Sequence, residues 1–135
     1  NKKRLICQQI SNVDLSKRLK FTFSNSNDIL ANSCNYLNSI RSVDDLDKLH
    51  YLLNSELLNW RFKVTSSNNH INNYELNELP ILDLDKLDLS QFTDNKKEND
   101  ILICKLYGLN KKEAEYILGY PIKTTKKKLI LNEVI

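Results

Sequence analysis

Leu46, Leu49, Leu53, Leu57 and Trp60 recur at spacings of three and four residues, which places them on one side of an α-helix. Ser42 and Asp45 have the form of a capping box at its start, so the pattern predicts one amphipathic helix from Ser42 to Lys63. The opposite side, with Asp44, Asp47, Lys48, Ser55 and Glu56, is expected to meet solvent or a neighbouring domain. An apolar stripe of that length needs a surface to dock on, and the preceding residues offer one. Residues 3–10 (KRLICQQI) form a short run flanked by polar residues and residues 19–23 (LKFTF) alternate apolar with polar, so both read as strands. Residues 28–40 (DILANSCNYLNSI) mix β-branched, aromatic and polar side chains without helical spacing, which predicts one or two more strands. The expected fold is α+β, a mixed or antiparallel sheet packed by one long amphipathic helix. At 135 residues and 41% hydrophobic content the chain suits one domain burying roughly two-thirds of its unfolded surface.

Downstream, residues 65–73 (TSSNNHINN) read as an ordered polar loop, and residues 74–81 (YELNELPI) as a short edge strand interrupted by Pro80. Asp83, Asp85 and Asp88 alternate with leucines but lack the glycine and terminal glutamate of an EF-hand loop, so they read as an acidic surface segment. Residues 99–107 (NDILICKLY) look helical with Gly108 as their stop, and Asn110 with Glu113 makes a capping box for residues 111–118. The pair predicts a small C-terminal helical subdomain around residues 99–120. Its second helix is short and charge-mixed, which favours packing over DNA reading. The tail, with Lys123, Lys126, Lys127 and Lys128 before LILNEVI, reads as a solvated basic run and a last strand.

Much chemistry lacks the residues it needs. Cys7, Cys34 and Cys104 are odd in number and hold no Cys-x-x-Cys pair, which argues against a disulfide framework or zinc site and for small core residues. His50 and His70 are the only histidines, too few for a histidine-based metal or acid–base centre. There is no Glu-x-Lys tripeptide for a metal-dependent nuclease. No apolar run approaches the roughly 18 residues of a membrane helix, and no secretory signal opens the chain, so the expectation is a cytoplasmic protein without membrane partners. With Asn1 first and no methionine, the chain reads as part of a longer protein. The formal charge of +3 permits nucleic-acid binding without demanding it.

Residues 51–81, YLLNSELLNWRFKVTSSNNHINNYELNELPI, resemble the TaqI-like C-terminal specificity domain of bacterial adenine-specific DNA methyltransferases and fused restriction-modification enzymes. There a Leu-Leu-Asn-Ser helix is followed by an aromatic-basic stretch, a polar Asn-Asn-His-type loop, and a Tyr-Glu-Leu segment closing on Leu-Pro-Ile. Residues 4–11 (RLICQQIS) and 105–109 (KLYGL), with Lys112-Glu113, resemble its flanks. The resemblance implies that residues 1–135 are a single target-recognition domain, the C-terminal part of a larger enzyme. It would bind double-stranded DNA while an upstream methyltransferase domain holds S-adenosylmethionine and modifies the base. Methyl transfer needs an Asn-Pro-Pro-aromatic loop and a glycine-bearing turn; two separated prolines and two separated glycines supply neither, so no catalytic residue or cofactor is expected in this chain.

On that reading the candidate DNA-binding residues are Gln8, Gln9 and Ser11 on the first strand, Arg18 and Lys20 on the second, and Ser67, Asn68, Asn69 and His70 in the loop. Asn and Gln can bond the adenine edge bidentately and Arg the guanine edge, at about 1–3 kcal/mol per good pair, while Lys and Ser contacts to phosphate set register. For Asn68, Asn69 and His70 the competing role is to hold the loop through side chain–backbone bonds. The alternative function is a protein-interaction module that docks the methyltransferase core or a partner subunit, with Asn54, Ser55 and Trp60 at the interface.

Overall fold

The computed structural model describes residues 3–8, 11–25, 34–38 and 42–123, with the backbone alone for residues 34–38 and Val43. Strands β1 (Lys3–Gln8), β2 (Thr22–Asn25) and β3 (Cys34–Asn38) form an antiparallel sheet in the order β2-β1-β3. Leu5 pairs with Phe23 on one side and Leu37 on the other. Leu5 and Cys7, two apart and so on one face of β1, are buried. The strand expected over residues 19–23 begins only at Thr22, although Leu19 and Phe21 are buried just before it.

The single long helix is corrected to two, α1 (Val43–Leu53) and α2 (Glu56–Thr65). Ser55 is the N-cap of α2: its backbone is extended, and its hydroxyl donates to Leu52 O at 2.6 Å and accepts from Leu58 N at 3.2 Å. A side chain that competes for backbone partners in this way ends one helix and starts the next. The apolar stripe survives the break, since Leu46, Leu53 and Leu57 are buried together with Leu52, Leu58 and Phe62, but Trp60 stays exposed.

The edge strand expected over residues 74–81 is also corrected. Residues 73–77 form the short helix α3 (Asn73–Asn77), because Asn72 and Glu75 make a capping box in which Asn72 N donates to Glu75 Oε1 at 3.2 Å. The acidic segment forms two 3₁₀ turns, Leu84–Lys86 and Leu89–Gln91, whose preceding aspartates, Asp83 and Asp88, accept from Asp85 N and Ser90 N. Helix α4 (Lys96–Leu106) starts earlier than its apolar pattern, at the Asn95 cap, and gives way to Gly108 at φ +80°. In α5 (Lys111–Leu118) the Asn110–Glu113 box closes with both bonds at 2.9 Å.

The last two helices are not a separate subdomain. They pack on α2, and Ile103, Cys104 and Ala114 belong to the same apolar cluster as Leu5, Leu46 and Phe62. No helix among the described residues is long and apolar enough to cross a membrane. The strand expected in the tail lies outside the described residues, as do Gln9 and residues 28–33.

Candidate nucleic-acid interface

Before β2, residues 16–21 take backbone partners from two asparagine side chains of the helical region, Asn54 and Asn59. Asn59 is buried on α2; its Oδ1 accepts from Arg18 N at 2.8 Å and Leu19 N at 3.0 Å, and its Nδ2 donates to Ser16 O at 2.7 Å. Asn54, at the break between α1 and α2, does the same for Phe21: Oδ1 accepts from Phe21 N at 2.8 Å and Nδ2 donates to Phe21 O at 2.9 Å. Each amide presents an acceptor and a donor side by side, which lets it satisfy backbone N–H and C=O groups at once. Leu19 and Phe21 therefore point into the core, while Lys20 between them is exposed.

Arg18 also points inward and is only 3% exposed. Its Nη1 donates to Ser66 Oγ at 2.6 Å, its Nη2 donates to Ser11 O at 3.0 Å and Asn68 O at 2.7 Å, and the guanidinium lies 5.0 Å from the Phe62 ring centroid. Burial draws its pKa below the ordinary arginine value, and Glu75 opposes that shift. The Arg18 donors brace the loops from inside, and the residue also lines the groove between them. Two further bonds join the same loops, Ser11 N to Asn69 O at 2.6 Å and Val13 N to Asn69 Oδ1 at 3.0 Å. Within the loop, His70 N donates to Asn68 Oδ1 at 2.9 Å.

The result is an open groove of about 680 Å³ lined by Gln8, Ser11, Lys17, Lys20 and Thr22, with Leu15 at its wall. Four of the expected residues, Gln8, Ser11, Arg18 and Lys20, thus line one groove, and the exposed Ser67, Asn68, Asn69 and His70 are tied to it through the Ser11 N–Asn69 O bond. Gln9 lies outside the described residues. Sequence reasoning missed Lys17 and Asn59. Lys17 Nζ donates to Asn54 O and stands 3.8 Å from Glu56, and its pKa is lowered by burial and by Lys96 against the opposing carboxylates of Glu56 and Asp100. Asn59 was legible as a polar residue between Leu58 and Phe62 on the buried side of a helix, a position that demands hydrogen-bond partners.

Among the described residues no three His, Cys, Asp or Glu gather as a metal site. His50 stacks on Phe23 with ring centroids 4.5 Å apart, and burial lowers its pKa below the ordinary histidine value. Burial raises the Cys104 thiol to about 11, the opposite of what an activated nucleophile needs. The described residues thus define an α+β chain in which a small antiparallel sheet and two braced loops frame an open groove. No protein-family model, curated protein or solved structure matches the chain.

Proposed function

We propose that this chain is a sequence-specific duplex-DNA recognition domain serving an adenine-specific DNA methyltransferase or restriction-modification enzyme, and that catalysis and S-adenosylmethionine belong to an upstream methyltransferase domain. The observation that carries the reading is the gathering of Gln8, Ser11 and Lys20 in one open groove, with the exposed 67–70 loop braced at its edge. Base reading requires amide and hydroxyl groups held in fixed geometry on a rigid support, and the Arg18 and Asn59 bonds supply that support. In this reading Gln8, Asn68 and His70 face base edges, and Lys20, with Ser11 and Ser67, contacts phosphate.

A salt-series titration of the chain with duplex DNA tests it. Binding should weaken steeply with salt, since phosphate contacts release counterions. Lys20→Ala should lower the salt slope by about 1, whereas Gln8→Ala or Asn68→Ala should erode discrimination between sequences by about 1–3 kcal/mol at an unchanged slope. Absence of any salt-sensitive duplex binding by the folded chain at low salt would refute the proposal.

A further inference from the structure

Among the described residues no Asp or Glu lines the groove beside β1, whereas Lys17, Arg18 and Lys20 do. A cleft whose charged lining is wholly cationic suits a polyanion. Between those cations lies a feature for which phosphate has no use. Ile6 and Thr22 are direct partners across β1 and β2, and both line the groove together with Leu15. Side chains so paired stand about 5 Å apart at Cβ, so the Ile6 and Thr22 methyls form one patch. Leu15 is 51% exposed, and its loop holds it there: Leu15 N donates to Asn12 O at 3.1 Å, and the Ser11 and Val13 amides tie the loop to Asn69.

Gln8 lies two residues beyond Ile6 on β1 and so shares its face. Two residues of strand span about 7 Å, which falls inside the roughly 12 Å width of the DNA major groove. One strand can therefore set an amide on one base of a pair and a methyl patch on the other. The amide complements the N6 and N7 edge of adenine, and the apolar group that the major groove presents is the thymine 5-methyl. The arginine on this wall is not placed to read guanine, since Arg18 has Nη1 and Nη2 committed to Ser66, Ser11 and Asn68. Lys17 Nζ is likewise bonded to Asn54 O beside Glu56, which leaves the exposed Lys20 for phosphate.

We propose that this groove reads an A·T base pair, with Gln8 bonding adenine and the Ile6, Leu15 and Thr22 patch covering the thymine methyl. This pairing rests on the proposed duplex recognition and names one base pair of its target.

The probe is a duplex selected by the whole chain from a random-sequence library. Replacing each of its thymines in turn by deoxyuridine removes one methyl and nothing else. At one A·T pair the affinity should fall about fourfold, the worth of one buried methyl. The L15S/T22S variant changes two exposed side chains and should narrow that difference to below about twofold. Gln8→Ala should weaken the thymine and deoxyuridine duplexes alike and leave their ratio unchanged, because its partner is the adenine. A selected sequence with no fixed A·T pair, or with no thymine whose methyl affects affinity, would overturn the proposal and leave duplex recognition standing. So would a fourfold loss that L15S/T22S retains in full, since the methyl would then be met elsewhere. Failure of the folded chain to enrich any duplex would overturn both the proposal and the duplex recognition on which it rests.

Discussion

Asn59→Ala removes one side chain and leaves three backbone groups without their partner. Ser16 is exposed, so its carbonyl regains water at little cost. The amides of Arg18 and Leu19 belong to residues that are buried, and an unsatisfied buried donor costs about 1–3 kcal/mol. Two such amides set the loss at about 3 kcal/mol, with about 2 kcal/mol as the floor where a water enters the vacated space. For a chain of this size that lowers the melting temperature by roughly 10 °C. Urea unfolding followed by far-ultraviolet circular dichroism reads the change directly, with Asn68→Ala as the control. Asn68 Oδ1 meets only the exposed His70 amide, so its removal should stay within about 0.5 kcal/mol. Asn54→Ala frees the other end of the same segment, so the double variant should lose less than the sum of the two single losses. A loss below about 1 kcal/mol for Asn59→Ala would refute the reasoning, because residues 16–21 would then owe their path to something other than the asparagine pair.

Arg18→Lys keeps a positive charge but cannot reach Ser66, Ser11 and Asn68 together; it should loosen the 66–70 loop, seen as faster limited proteolysis there, and weaken DNA binding without touching a base. His50 has a folded pKa below its ordinary 6.5, so it contributes stability that is present above that value and lost as the pH falls through the folded pKa; His50→Phe should flatten the acid limb of a stability–pH profile. Cys104, buried and with its thiol pKa raised to about 11, should resist iodoacetamide at pH 8 until the chain is unfolded, as peptide-level mass spectrometry would show. Asn110→Ala removes the first bond of the α5 capping box and should cost about 1 kcal/mol, measured by thermal unfolding.

What could be read in advance divides by the distance over which each residue finds its partner. Helix α5 was legible to its ends because Asn110 bonds Glu113 and the chain turns at Gly119, all within ten residues. The break between α1 and α2 was not, although Ser55 acts locally, because Asn54 is fixed by Phe21, 33 positions away. The leucine spacing was blind to it: α1 and α2 turn their apolar residues to one core, so the pattern runs on across the gap. Helix α3 was misread for a different reason. Over residues 74–81 the apolar positions alternate for too short a run to tell a strand from a turn of helix, and the local signal that settles it, Asn72 with Glu75, begins before the alternation.

The candidate interface follows the same division. Lys20 and the 67–70 loop could be placed at the surface from polarity alone, but Arg18 has the same polarity and ends up inside. Its partners, Ser66 and Asn68, lie about fifty residues downstream, and only the folded chain brings them to it. Alternation offered a weak warning, since Leu19 and Phe21 face inward and Arg18 should then have faced out with Lys20. The Asn59 side chain overrides it by accepting from two consecutive amides, Arg18 N and Leu19 N, which a strand neighbour cannot do because successive amides on a strand point to opposite sides. The local departure from strand geometry is what turns Arg18 inward and Lys20 outward, so a single buried asparagine decides which of two basic residues, two positions apart, holds the loops in place and which is left exposed.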